Sequence, residues 1–349
     1  MLERPILRGE VNFPLCLAPM VGLTHVGFRL LLKSYMPPGA RTIWPTEMLN
    51  SRRLPHEVFA RVPECSRHPS ETDLVPQILG NDESEIARSV KRLDEEWGAS
   101  GIDINMGCPV RKALSHNYGV ALMGDAQYAR DVVAMTVRHT RLPVSVKLRA
   151  ADAGTDVLFR FAEGLVEAGA EWLTLHPRRA EQKRRGSADW SMIHDLRHVV
   201  PVAVIGNGDI QQADDVFRML DETGCDAVMA GRALTARPWL LWQVGERLGW
   251  PAPIGREGER APETREEEGQ EFGRAVLKLI AILAELPWGE DLLIRKLRFF
   301  LKNACPWLEF GHALEAKMSV VKSLAEAQQV IALFFSQTQS MSPRTDLRY

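Results

Sequence analysis

The feature that most constrains this chain is a recurring alternation of short apolar runs with helix-like segments. VNFPLCLAPM (11–20), TIWPTEM (42–48), LVPQILG (74–80) and GIDINMG (101–107) are the first four runs. PVSVKLR (143–149), WLTLHPR (172–178), PVAVIGNGD (201–209) and CDAVMAGR (225–232) are the next four. They are mostly continuous rather than alternating, as parallel strands covered on the outside by helices should be. DESEIARSVKRLDEEWG (82–98) has acidic residues in its first turn and a Gly stop. DAQYARDVVAMTVRHT, DVLFRFAEGLVEAGA and QQADDVFRMLDETG read the same way, and only 51–73 is irregular. Eight strand–helix units over roughly 240 residues have the count and length of a (β/α)8 TIM barrel, an α/β fold. A doubly wound sheet is the competing architecture, but it rarely holds eight such regular units.

After Trp250 the character changes. The sequence predicts a barrel over 1–250, a linker over 251–270 rich in Pro, Gly and charge, an all-α helical domain over 271–338, and a polar, frayed tail over 339–349. The net charge of −2 gives no global basic field that would announce a nucleic-acid partner, although local basic patches stay open. Five widely spaced cysteines, an odd number with no CxxC pair, argue against a disulfide framework or a zinc site. MLERPILRGE carries charges where a signal peptide needs an apolar core, and no run reaches membrane-span length. The expectation is a cytoplasmic protein with no membrane segment, no metal and no obligate protein partner.

Barrel active sites form at the C-terminal ends of the strands. Here those ends supply Ala18-Pro19-Met20, Glu47, Gln77, Asn105 with Cys108, and Lys147 with Arg149. The later strands supply His176 with Arg178, Asn207-Gly208-Asp209, and Gly231-Arg232. A lone His or Cys there would be an ordinary core residue, and Cys16, Cys65, Cys225 and Cys305 are read so. Amide, thiol, ammonium, guanidinium and imidazole at one barrel end are a different matter, because surface polarity placed at random would spread over both ends. GNGDI and AGRAL each precede a helix, where glycines let the backbone approach an anion and Arg232 can add a bidentate contact. Sugar phosphates, nucleotides and flavin mononucleotide all suit such a site.

LAPMVGLTHVGFR, TEM, PQILG, DINMGCPVRK, PVSVKLR, HPRRAEQKRRGSADW, VIGNGDI and CDAVMAGRALTARPW occur in that order over about residues 14–245. In these pieces the chain resembles the tRNA-dihydrouridine synthases, flavoenzymes that reduce a uracil base within a folded RNA. The resemblance implies bound FMN, with NADPH as electron donor. By resemblance, Pro19, Met20 and Gln77 line the flavin, and Lys147 and His176 contact its ring or ribityl chain. Asn207, Gly208, Asp209, Gly231 and Arg232 hold the phosphate end. Asn105, Arg149 and Arg178 belong with the uracil, and Cys108 matches the family's proton donor. A thiol with a free pKa near ~8.5 is mostly protonated at neutral pH and suits that task. A positive charge from Lys147 or Arg149 near flavin N1 and O2 would stabilise the reduced ring.

The chain departs from the family pattern at His176-Pro177-Arg178-Arg179, at LSHNYGVALM (114–123) and at AADAGTD (150–156), which mark a divergent branch. Ser115, His116, Asn117 and Tyr118 could alter the cysteine loop or its target preference. No GxGxxG marks a separate nicotinamide site, so NADPH is expected to meet the flavin in the same cleft. A tRNA partner needs local basic surface, supplied by EQKRRG (181–186) and by RKLRFFLK, where Arg295, Lys296, Arg298 and Lys302 interleave with Phe299 and Phe300 near Trp288 and Trp307. Those aromatics read more readily as helix core than as stacking platforms. Competing readings are a dihydroorotate-dehydrogenase-like FMN enzyme on a free small molecule and a related reductase acting on ribosomal RNA. An RNA-binding protein without redox activity and a non-redox phosphate-binding barrel complete the set.

Overall fold

The computed structural model describes residues 2–109, 116–150, 154–182 and 185–345. Among the described residues are eight strands: β1 (Leu15–Leu17), β2 (Trp44–Asn50), β3 (Leu74–Leu79), β4 (Ile102–Met106), β5 (Val144–Arg149), β6 (Trp172–His176), β7 (Ala203–Asn207) and β8 (Ala227–Ala230). Seven lie within the expected runs, while β2 continues two residues further, to Asn50. All pair in parallel in the order β1-β8-β7-β6-β5-β4-β3-β2. At the β1/β2 seam, Thr42 Oγ1 donates to Leu15 O at 2.9 Å and Phe13 N to Arg41 O at 3.1 Å, which closes the TIM barrel.

The barrel is filled by inward side chains including Cys16, Ile43, Val75, Trp172, Ile205 and Met229. Outward side chains of the same strands pack beneath α1 (Val26–Lys33), α2 (Glu83–Arg92), α3 (Ala126–Arg138), α4 (Thr155–Glu167), α5 (Ser191–Val199) and α6 (Ala213–Thr223). Two-sided burial explains why the strand runs are apolar throughout rather than alternating. After β8 come α7 (Arg232–Ala236) and α8 (Leu240–Arg247).

The C-terminal helices are α9 (Arg265–Ala284), α10 (Glu290–Ala304), α11 (Gly311–Ser319) and α12 (Leu324–Phe334). The first of them begins at Arg265, inside the stretch expected as linker. A capping box sets that start: Thr264 Oγ1 accepts from Glu267 N at 3.2 Å, and the Glu267 carboxylate accepts from Thr264 N at 2.9 Å. These helices pack on the barrel, as where Tyr35 Oη donates to Glu271 at 2.7 Å.

The tail corrects its expectation, because its described part is docked rather than frayed. Met341 is fully buried and pairs with Leu308 in an isolated bridge. Gln212 Nε2 donates to Pro343 O at 2.7 Å, and Arg344 pairs with Asp215 at 2.6 Å. Polarity alone misleads here, since the backbone and Arg344 find partners on the barrel. No described helix is long and apolar enough to cross a membrane.

Candidate active site at the barrel mouth

The C-terminal strand ends converge, and a directed hydrogen-bond chain runs through them. Asp103 sits within β4, its side chain buried inside the barrel beside Ser145 of β5, its register neighbour. Its carboxylate accepts from Ser145 Oγ at 2.6 Å and from Gln77 Nε2 at 2.6 Å. Gln77 Oε1 then accepts from Asn105 Nδ2 at 2.7 Å. Asn105 Oδ1 accepts from Cys108 N at 2.9 Å and Gly107 N at 3.2 Å. A carboxylate only accepts, so Asp103 fixes which way each amide faces and thereby pins the turn that carries the thiol. Asp103 and Ser145 were not singled out from sequence. Polar residues at one register level in adjacent apolar strands were the available signal.

Cys108 is buried against Tyr118, with Met48 and Leu79 packed on the pair. Gly119, at φ +60°, lies so close that a Cβ there would sit 2.6 Å from Cys108 O. Beside them opens a cleft of about 270 Å³ lined by Val21, Glu47, Met48, Asn50, Leu79 and Tyr118 among others. Of the departing stretches, Tyr118 thus packs directly on Cys108. Ser115 and residues 151–153 lie outside the described residues.

Cations line the opposite wall. Lys147 donates to Asn207 Oδ1 at 3.0 Å, and Asn207 Nδ2 donates onward to Met229 O at 2.8 Å. Burial lowers Lys147 to about 8, with Asp103 pulling the other way. Burial raises Asp103 to about 6 against the opposing bonds from Ser145 and Gln77. His176 is held down at about 2, first by burial and then by Lys147, Arg149, Arg178 and Arg232, so it is a neutral imidazole. Arg149 donates to Arg179 O at 3.0 Å. Arg178 is buried, with its guanidinium on Gly186 O at 2.6 Å, paired to Asp209 at 2.6 Å and 3.3 Å from His176 Nε2. It therefore ties the loop after β6 to the loop after β7.

Close backbone approach marks the β7 and β8 ends. Gly208 has φ +127°, and a Cβ there would lie 2.8 Å from Ala188 Cβ and 3.1 Å from His176 Cδ2. A Cβ on Gly231 would lie 2.9 Å from Met20 Sδ, which brings the β1 end against the β8 end. Pro19 and Met20 are half-buried at this mouth, next to Ala18. The site thus has side-chain-free backbone at β7 and β8, a cationic wall, a neutral imidazole and a held thiol. Such a donor set suits a phosphorylated, electron-rich ligand.

The basic segment of α10 divides. Lys296 is buried against Glu47, and Arg298 donates to Met318 O at 3.0 Å and to Val321 O, closing the end of α11. Both were expected to face RNA: Lys296 is buried in its ion pair, whereas Arg298 is half-buried and still borders the surface groove. Phe300, Trp288 and Trp307 are core, whereas Phe299 is 41% exposed. Arg295 and Lys302 remain on the surface groove beside Phe299. Lys183 and Arg184 of the other patch lie outside the described residues.

The family described as Dihydrouridine synthase (Dus) matches this chain over residues 16–268. A Mycobacterium tuberculosis protein named "Probable tRNA-dihydrouridine synthase" is 32% identical over 328 residues, spanning 91% of this chain and 81% of its own length. One of the same name from Mycobacterium leprae is 30% identical over 338 residues, spanning 89% and 85%. A third, from Rickettsia prowazekii, is 32% identical over 241 residues, spanning 68% and 72%.

Proposed function

Because the chain belongs to the dihydrouridine synthase family, we propose that it reduces the C5–C6 bond of a uridine in tRNA to dihydrouridine, with FMN at the barrel mouth and NADPH as electron donor. The observation that carries this reading is the Asp103–Gln77–Asn105 chain holding Cys108 beside a cationic mouth. The residues fit FMN: the backbone at Gly208 and Gly231 leaves room where a Cβ would clash. Asn207, Asp209 and Arg232 would take the phosphate end, while Pro19, Met20 and Gln77 would line the ring. Bound there, FMN in its reduced form would be the source of the hydride that uracil C6 requires.

The chain's own residues do the rest. Cys108 gives its thiol proton to C5, and the thiolate recovers a proton from solvent. Asn105, with one Nδ2 hydrogen beyond its bond to Gln77, borders the base together with Arg149 and Arg178. Lys147, as an ammonium below about 8, places positive charge where the reduced ring is electron-rich. His176, uncharged, donates or accepts without adding charge. The target base must leave its stack, at a cost of a few kcal/mol, and contact with the RNA backbone is the source of that energy. Five buried cysteines, none of them in a disulfide, suit a reducing cytoplasm, where we place the protein.

The deciding experiment is a visible spectrum of the purified protein, then NADPH addition without and with uridine-containing tRNA. A yellow protein bleached by NADPH and reoxidised faster by tRNA than by buffer is the expected result. Reoxidation by ribosomal RNA or a free pyrimidine, and not by tRNA, would reassign the substrate. A protein that stays colourless when FMN is offered would overturn the redox reading.

A further inference from the structure

We propose that Lys296 and Glu47 form a positioning pair through which the C-terminal helices hold the β1–α1 loop at the barrel mouth. Lys296 lies on α10, and its Nζ sits 3.0 Å from Glu47 Oε1, in the middle of β2. The side chains are only 11% and 2% exposed, so neither charge is available to a polyanion. Glu47 Oε2 accepts from Gly22 N at 2.6 Å, and Lys296 Nζ reaches Gly22 O at 3.4 Å. Both backbone polar groups of one loop residue are thus held by the pair.

The same helix grips that residue a second time. Gly22 has φ +82°, and a Cβ there would lie 2.5 Å from the ring of Phe299, one turn beyond Lys296. Two residues back, Met20 is fixed by the same turn: its N–H donates to Thr24 Oγ1 at 2.9 Å, and its carbonyl accepts from Thr24 N at 3.0 Å. Met20 in turn packs against Gly231 at the β8 end. A continuous path therefore leads from α10 through Gly22 and Met20 to the cradle assigned to FMN.

A buried ion pair contributes little net stability over a hydrophobic pair of equal volume, but losing one partner strands a buried charge. Burial already raises Glu47, and Lys296 is the largest opposing influence. What the pair supplies is a fixed position for the loop. The role of the loop in flavin binding rests on the proposed function; the pair itself does not.

The test compares Lys296→Met, Glu47→Gln and the double variant in two readouts. Hydrogen exchange at the Gly22 amide needs no flavin, and FMN affinity reports the cradle. Each single variant should speed Gly22 exchange and weaken FMN binding by about tenfold, because each strands one charge. The double variant keeps an amide oxygen for Gly22 N and removes both charges, so it should return to within about threefold of wild type. Unchanged exchange in the singles would overturn the proposal, as would a double variant as impaired as the worse single. If Lys296→Met does not accumulate, Glu47→Gln against the double variant decides alone. Wild-type protein that takes no FMN would sink the flavin reading, while Gly22 exchange still judges the pair.

Discussion

Asp103 illustrates how one carboxylate can set the geometry of a thiol-bearing residue three hydrogen bonds away. Asp103→Asn keeps the shape but adds a donor, so Gln77 and Asn105 can turn over and release the N–H groups of Gly107 and Cys108. We expect turnover on tRNA to fall by about 10–100-fold with little change in melting temperature, since misplacement alone has that effect. The raised pKa adds a second readout. Asp103 holds a proton up to about 6 in the folded state, against 3.8 ordinarily, so its contribution to stability is present below 3.8 and lost as pH rises through about 6. Asp103→Asn should abolish that slope in a melting series across the window. Lys147 runs the other way: its folded-state pKa of about 8 lies below the ordinary 10.5, so the unfolded chain binds more protons between those values and stability rises there. Activity that needs the ammonium should instead fall as pH rises through about 8. Lys147→Met should be slow and flat across that range, and a wild-type profile without a limb near 8 would remove Lys147 from the chemistry. Cys108→Ala should bind flavin normally, let NADPH reduce it, and form no dihydrouridine by mass analysis of digested tRNA.

The attachment of the helical region to the barrel depends on Glu268, on α9, which accepts from buried Arg237 at 3.0 Å, Trp239 Nε1 at 3.1 Å and Gln243 Nε2 at 3.2 Å. Glu268→Ala leaves the buried Arg237 charge without its carboxylate, and should lower stability by about 3–5 kcal/mol in urea unfolding. A chain ending at Gln339 loses buried Met341 and the Ser342 carbonyl that Arg237 also uses, and should lose about 3 kcal/mol. The eight strands were legible because burial on both faces writes them as uninterrupted apolar runs. The start of α9 could also be read, in Thr264 and Glu267, but the Pro- and Gly-rich stretch before it obscured the cap. The strand-end residues were legible because a barrel brings all its C-terminal ends together. Their partners were not. Nothing local in RKLRFFLK says that Lys296 turns inward to Glu47, a residue 249 positions away, while Arg295 stays out. The tail failed for the same reason: its neighbours, Arg237, Asp215 and Gln211, whose Oε1 accepts from Thr345 N at 2.9 Å, are distant in sequence.

A molecule of net charge −2 that binds a polyanion must do so through a small positive area, and its affinity should then vary steeply with salt. Each neutralised phosphate contributes a slope of about −0.9 for duplex and about −0.7 for single strands in log affinity against log salt. Arg295 and Lys302 flank exposed Phe299 on α10, and Arg179 and Arg185 sit at the barrel mouth, near Arg149 and Arg178. The area that should touch RNA therefore spans both parts of the chain. Lys302→Gln and Arg295→Gln should each reduce the magnitude of the slope by about one contact, leaving the flavin spectrum and free-protein stability unchanged. Lys296→Met combined with Glu47→Gln should leave the slope where it is, because a lysine already neutralised by a buried carboxylate releases no counterion from RNA. Titrating tRNA at several salt concentrations separates these cases. If the double variant shifts the slope as much as Lys302→Gln does, Lys296 meets phosphate in the complex, and the basic helix would be a single RNA-facing stripe rather than one face on RNA and one on the barrel.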